Sequence, residues 1–103
     1  MKRIIEGKRY DTATAEEIAS DGYGYAGDFR HWRERLYRTA AGGWFLVGEG
    51  GPLSRYGESV AQNEWSGGSK LIPLTAEQAR AWCEEHEATA ALERYFAGQV
   101  VDA

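Results

Sequence analysis

The sequence predicts an α+β fold: a small antiparallel sheet centred on a hairpin over residues 30–47, packed by a short N-terminal helix and a broken C-terminal helix pair. Three observations point there. Residues 30–39 and 44–47 read as strands joined by the small-residue run AAGG. TAEE (14–17) and TAEQ (75–78) each form a capping box ahead of apolar residues at helical spacing. The apolar residues of 79–96 fall into two sets that one straight helix could not bury together.

Taken in order, Arg3 to Ile5 read as a short strand, Gly7 permits a turn, and Arg9-Tyr10 return as a second strand. Thr14 is an N-cap with Glu17 completing its box, and Ala15, Ile18 and Ala19 share a face. A helix is therefore expected from about Ala15 to Ser20, stopped by Asp21-Gly22. The segment DGYGYAG (21–27) is a glycine- and tyrosine-rich loop. Its tyrosines are read as covers on the core edge, with exposed contact residues as the alternative.

Along the next strand Trp32, Glu34, Leu36 and Arg38 share one face, and His31, Arg33, Arg35, Tyr37 and Thr39 share the other. Trp44 to Val47 are apolar on both faces, so this strand is expected in the middle of the sheet, covered on both sides. Residues 52–69 read as a long loop with a short turn or strand near Ser59 to Gln62, pinned to the body by Trp65. Lys70 to Leu74 form a strand that Pro73 confines to an edge. Thr75 then caps a helix with Gln78 closing the box. Ala79, Trp82, Cys83 and His86 line one face, and Leu92, Tyr95 and Phe96 another, centred roughly 130° away at 100° per residue. A break near Glu87–Thr89 is expected, with Thr89 capping a second helix that ends at Gly98.

With 103 residues, 43% apolar and 13% aromatic, the chain suits a single domain, 1–103, with one modest core. No apolar run approaches the roughly 20 residues of a membrane helix. MKRIIEGKRY lacks a signal peptide's apolar segment, and the lone cysteine, Cys83, fits a reducing compartment, so a cytoplasmic monomer is expected. The net charge of −4 is uneven: residues 57–103 hold eight acidic and three basic groups. Such a domain is not a typical duplex binder. Its acidic part is either a solvated helix face or the complement of a basic partner surface.

The residues bear on four chemistries. GEGG (48–51) follows a strand, as a phosphate loop would. However, Pro52 intervenes, Leu53 stands where a dinucleotide fingerprint has its third glycine, Glu49 repels phosphate, and no Gly-Lys-Ser/Thr is present. Cys83 and His86 share a helix face but supply only two of the four ligands a structural zinc wants, so core roles are expected, with no metal and no cofactor. Cys83 also lies beside Glu84 and Glu85, which oppose thiolate formation, and catalytic residues are not expected. Arg33, Arg35 and Tyr37, with His31, form a small basic and aromatic patch that could track a nucleic-acid strand. A charge-guarded edge strand is the preferred reading of it.

One resemblance spans nearly the whole chain. KRYDTATAEEIA (8–19), LYRT (36–39), GGWFLVGEGGPLSRY (42–56) and WSGGSKLIPLTAEQARAWCEEH (65–86) resemble a widespread family of small proteins from phages and bacterial mobile elements, with 42–56 the most specific part. The family includes an anti-CRISPR protein that inhibits the RNA-guided nuclease of type II-A systems. The resemblance implies a non-enzymatic inhibitor that binds the nuclease, and it carries over no functional residues. The charge balance of residues 57–103 suggests Glu84, Glu85, Glu87 and Glu93 as the contact with a basic channel of such a nuclease. A small nucleic-acid-binding accessory protein, acting through Arg33, Arg35 and Tyr37, is the alternative.

Overall fold

In the computed structural model, which describes all 103 residues, a four-stranded antiparallel sheet carries different cover on its two faces. An N-terminal hairpin, β1 (Lys2–Ile5) and β2 (Lys8–Asp11), turns at Glu6-Gly7, where both residues take positive φ. The sheet follows as β3 (Glu16–Tyr23), β4 (Trp32–Arg38), β5 (Trp44–Gly50) and, after a second hairpin of β6 (Glu58–Ala61) and β7 (Glu64–Ser66), β8 (Gly68–Leu74). Its spatial order is β3-β4-β5-β8, so β5 is internal and β8, with Pro73, lies at an edge. Two helices close the chain, α1 (Ala76–Glu85) and α2 (Thr89–Tyr95), followed by a 3-10 turn at Ala97–Gln99. The fold is α+β, as the sequence predicts.

Alternation along β4 and β5 builds two cores. Leu36, Trp44 and Leu46 face the helices and meet Ala79, Trp82, Cys83, Ala91 and Phe96. Tyr37 and Phe45 face the other way and pack with Leu71 beneath Ile5 and Tyr10 of the N-terminal hairpin. Tyr37 stacks on Phe45 at 5.1 Å between ring centroids, and Tyr10 meets the same ring edge-on. The doubly apolar strand is thus covered on both sides, by helices on one face and by a hairpin on the other.

The expected N-terminal helix is absent. Residues 16–23 form β3, paired with β4 from Glu16↔Arg38 to Tyr23↔Trp32. The register shifts between Glu17 and Ala19, so the pairing skips Ile18, and Ile18 and Ala19 both pack against the helix-side core. A bulge sets two adjacent apolar residues on one side and erases the alternation that marks a strand. Thr14 caps nothing: its hydroxyl bonds back to Asp11, whose own carboxylate accepts from the amide of Ala13 to form the turn into β3.

The C-terminal helices follow expectation closely. Thr75 Oγ1 accepts from the Gln78 amide at 3.1 Å, and Gln78 Oε1 accepts from the Thr75 amide at 2.8 Å. The helix breaks at Glu87, whose φ of 57° is left-handed, and α2 starts from Ala88 without a side-chain cap. Thr89 is therefore the first helical residue and not the cap, and α2 ends at Tyr95, short of Gly98.

Three other expectations are corrected. The strand that carries Arg33 and Arg35 is not a charge-guarded edge: β4 lies inside the sheet, paired with β3 on one side and β5 on the other. Tyr23 and Tyr25 are exposed and do not cover the core. Trp65 does not pin residues 52–69 to the body: it is 58% exposed on a hairpin that is solvated along nearly its full length. The molecule has extents of 48 × 37 × 19 Å and a radius of gyration of 15.2 Å. A compact chain of this length has about 13 Å. No helix is long and apolar enough to cross a membrane.

Candidate functional site

Period-2 alternation along β4 sends Glu34 to the helix-facing side between Trp32 and Leu36, where it is 1% exposed. A carboxylate taken out of water is costly unless its oxygens are met by donors. Here they are met. Oε1 accepts from the indole N–H of Trp82 at 2.9 Å. Oε2 accepts a short hydrogen bond from the Tyr56 hydroxyl and pairs with the Arg55 guanidinium at 3.2 Å. His86 Nε2 lies 3.5 Å from Oε1, and His86 Nδ1 lies 2.7 Å from Asp21 Oδ2. Both ring nitrogens thus face carboxylate oxygens, an arrangement that an imidazolium satisfies at both ends and a neutral ring at one. The His86 ring stacks on Trp82 at 4.3 Å and meets Trp32 edge-on.

This network joins four parts of the chain: β3 through Asp21, β4 through Glu34, the 51–57 loop through Tyr56, and α1 through Trp82 and His86. Burial, with the bond to Glu34 second, pushes the Tyr56 phenol well above its ordinary pKa. The His86 contact holds the Asp21 carboxyl below its ordinary value, helped by the Gly22 amide. Glu34 and Tyr56 are sealed from solvent, so the cluster is a rivet and not a site open to a substrate. At the margins of the network Arg55 and Asp21 reach water.

The glycines of 48–51 belong to the same construction. The Tyr56 ring fills the space a Cβ on Gly48 would need, and Gly51 lies against the Phe29 carbonyl, 2.6 Å from where a Cβ would stand. They let the loops 24–31 and 51–57 lie flat on the end of β5. Cys83 is fully buried, and burial raises its thiol pKa, so the thiolate is disfavoured. No group of three or more His, Cys, Asp or Glu side chains is placed to hold a metal ion.

The residues expected at partner contacts are dispersed. Glu84, Glu85, Glu87 and Glu93 are all exposed on the helical layer. Glu84 is neutralised by Arg80 at 2.7 Å, whereas the other three have no ion pair. On the opposite face, Arg35 is shared between Glu17 and Glu49 at 3.7 Å each, and Tyr37 is buried against Phe45. Tyr37 cannot stack on a base, and of the three only Arg33 is both exposed and free of an ion pair.

What the sequence did not single out is the end of the sheet. β3 finishes, β4 begins, β5 finishes and β8 begins at one edge, and the connecting segments gather there. Of the ten exposed large apolar residues, six sit on them or beside them: Tyr23, Tyr25, Phe29, Leu53, Val60 and Trp65. An open cleft of about 680 Å³ runs between Tyr23, Tyr25, His31, Trp32 and Arg33. A concentration of exposed aromatics beside arginine has the composition of a contact surface. The spacing of Tyr, Phe and Trp among glycines in 21–29 and 65–68 was the available signal.

No protein-family model matches the chain, and it matches none of the curated proteins and none of the solved structures.

Proposed function

We propose that this chain is a binding inhibitor that docks on the RNA-guided nuclease of type II CRISPR systems and blocks its activity without enzymatic chemistry, in the cytoplasm of a bacterial host. The observation that carries a binding role is the gathering of six exposed large apolar residues at one end of the sheet. An isolated domain does not gain by exposing them. The choice of partner rests on the resemblance of 8–19, 36–39, 42–56 and 65–86 to the mobile-element family described above. Acidic residues support a basic partner surface: Glu85, Glu87 and Glu93 are unpaired on the helical layer, and a nuclease of this kind holds its guide and target in positively charged channels. Co-purification of the chain with such a nuclease, alongside cleavage of a matched target, tests the reading. A stable complex with arrested cleavage is expected, and a nuclease that neither binds the chain nor slows overturns it.

One observation favours a second reading, a small nucleic-acid-binding accessory protein. Arg33 is unpaired and lines the cleft with Tyr23, Tyr25 and Trp32, which could hold unstacked bases. Mobility shifts of free guide RNA that weaken steeply with salt would select it.

A further inference from the structure

We infer that the β6–β7 hairpin is a docking arm whose Trp65 and Val60 insert into a basic protein surface bearing an apolar pocket. Trp65 and Val60 are 58% and 60% exposed, and residues 58–65 are solvated throughout. A two-stranded hairpin standing alone in water is marginal at best, so one that exposes a tryptophan and a valine has apolar surface left to bury. The arm is nevertheless presented in a fixed direction. At its base, Gly67 packs on the Gly50 carbonyl and Gly68 on the Tyr56 carbonyl, each at a distance only glycine permits. Tyr56 is in turn fastened to Glu34. Anchoring the base lowers the ordering cost of binding.

Charge selects the occupant. Between Gly57 and Ser69 the only ionisable side chains are Glu58 and Glu64, both exposed and outside every ion pair. An acidic arm that carries an exposed Trp65 on its second strand is complementary to a Lys/Arg-rich protein surface and repels a nucleic-acid backbone. This rests on the proposed function, under which that surface is a nucleic-acid channel of the nuclease, and it adds where the chain makes contact.

The test uses the full chain and a purified type II nuclease, with and without guide RNA. Binding is measured for the parent, Trp65→Ala, Val60→Ser and the pair Glu58→Lys/Glu64→Lys, and amide exchange is followed over residues 58–66. These side chains are exposed, so thermal melts should stay near the parent's and confirm folding. Trp65→Ala is expected to weaken binding at least about tenfold, and the charge-reversed pair by more at low salt than at high salt. The amides of 58–66 are expected to slow in the complex. If the parent binds, but Trp65→Ala and Val60→Ser bind equally well and the amides exchange freely, the arm is not the contact and this inference fails alone. If the parent forms no complex, the proposed function fails and takes the occupant with it. Binding of free guide RNA, or self-association that Trp65→Ala abolishes, overturns the protein surface as occupant.

Discussion

The Tyr56 ring occupies the volume that a side chain on Gly48 would need, while its hydroxyl donates to Glu34 on the neighbouring strand. Because Gly48 pairs with Glu34 across β4 and β5, the tyrosine is held by one member of a cross-strand pair and admitted by the other. Gly48→Ala is therefore expected to destabilise the fold by about 3 kcal/mol, at the upper end for an overpacked site. In the double-mutant cycle with Tyr56→Ala, the two losses should fall well short of additive, because removing the ring removes the clash. Additive losses in urea denaturation would show that Tyr56 is not what excludes a side chain at 48.

Loss of donors to Glu34 should scale with burial. Tyr56→Phe removes a buried hydrogen bond to a carboxylate and is expected to cost about 2 kcal/mol. Arg55→Ala removes a partner whose side chain is mostly exposed, and should cost under about 1 kcal/mol. Chemical denaturation of both variants checks the ranking, and a larger loss for Arg55→Ala contradicts the assignment of the phenol as the main donor.

The same network sets the pH dependence. The Asp21 carboxyl is held below its ordinary value in the fold, so the unfolded chain takes up its proton first. That contribution is complete above about pH 4 and is lost as pH falls through the lowered folded value. The Tyr56 phenol is raised, so the unfolded chain releases its proton first, and stability declines as pH rises above about 10. Melting temperature against pH should lose part of its acid limb in Asp21→Asn and part of its alkaline limb in Tyr56→Phe. Unchanged limbs would falsify the linkage.

Glu87 carries a left-handed φ of 57° at the break between α1 and α2, a conformation that costs a side-chain-bearing residue about 1 kcal/mol. Glu87→Gly should accordingly stabilise the chain by about 0.5–1 kcal/mol, read as a higher denaturation midpoint at constant slope. A lower midpoint would place the break's stability elsewhere.

Much of this architecture was legible because its signals are local. The N-terminal hairpin, the alternating faces of β4, the doubly covered β5, the edge strand with Pro73 and the capping box at Thr75 each follow from residues within one turn or one strand. β3 was misread because its bulge puts Ile18 and Ala19 on one side, so that with Ala15 they imitate helical spacing behind an apparent capping box. Glu34 was placed on the correct face, among apolar neighbours. Its partners Tyr56 and Trp82 lie 22 and 48 residues away, and nothing local announces such pairings. Tyr23 and Tyr25 were read as core covers, and Trp65 as a pin for its loop, because burial is the usual fate of such residues.

Charge reversal on the helical layer separates its contribution from that of the sheet end. Glu85→Lys, Glu87→Lys and Glu93→Lys together should weaken binding to the nuclease by roughly tenfold or more at low ionic strength, and less at high salt, with the fold intact. Adding Glu84→Lys should do more harm to the helix, since Glu84 answers Arg80 at 2.7 Å. Binding and inhibition unchanged by the triple reversal would remove the helices from the contact.

The most direct measurement is a titration of the purified chain into guide-loaded nuclease during cleavage of a matched target, with the intact mass of the nuclease taken at the end. Cleavage should fall to near zero at about one equivalent of chain, and the nuclease should be recovered at unchanged mass. Full cleavage at a large excess of chain, or arrest by a small fraction of an equivalent together with an altered nuclease mass, would contradict a stoichiometric binding inhibitor.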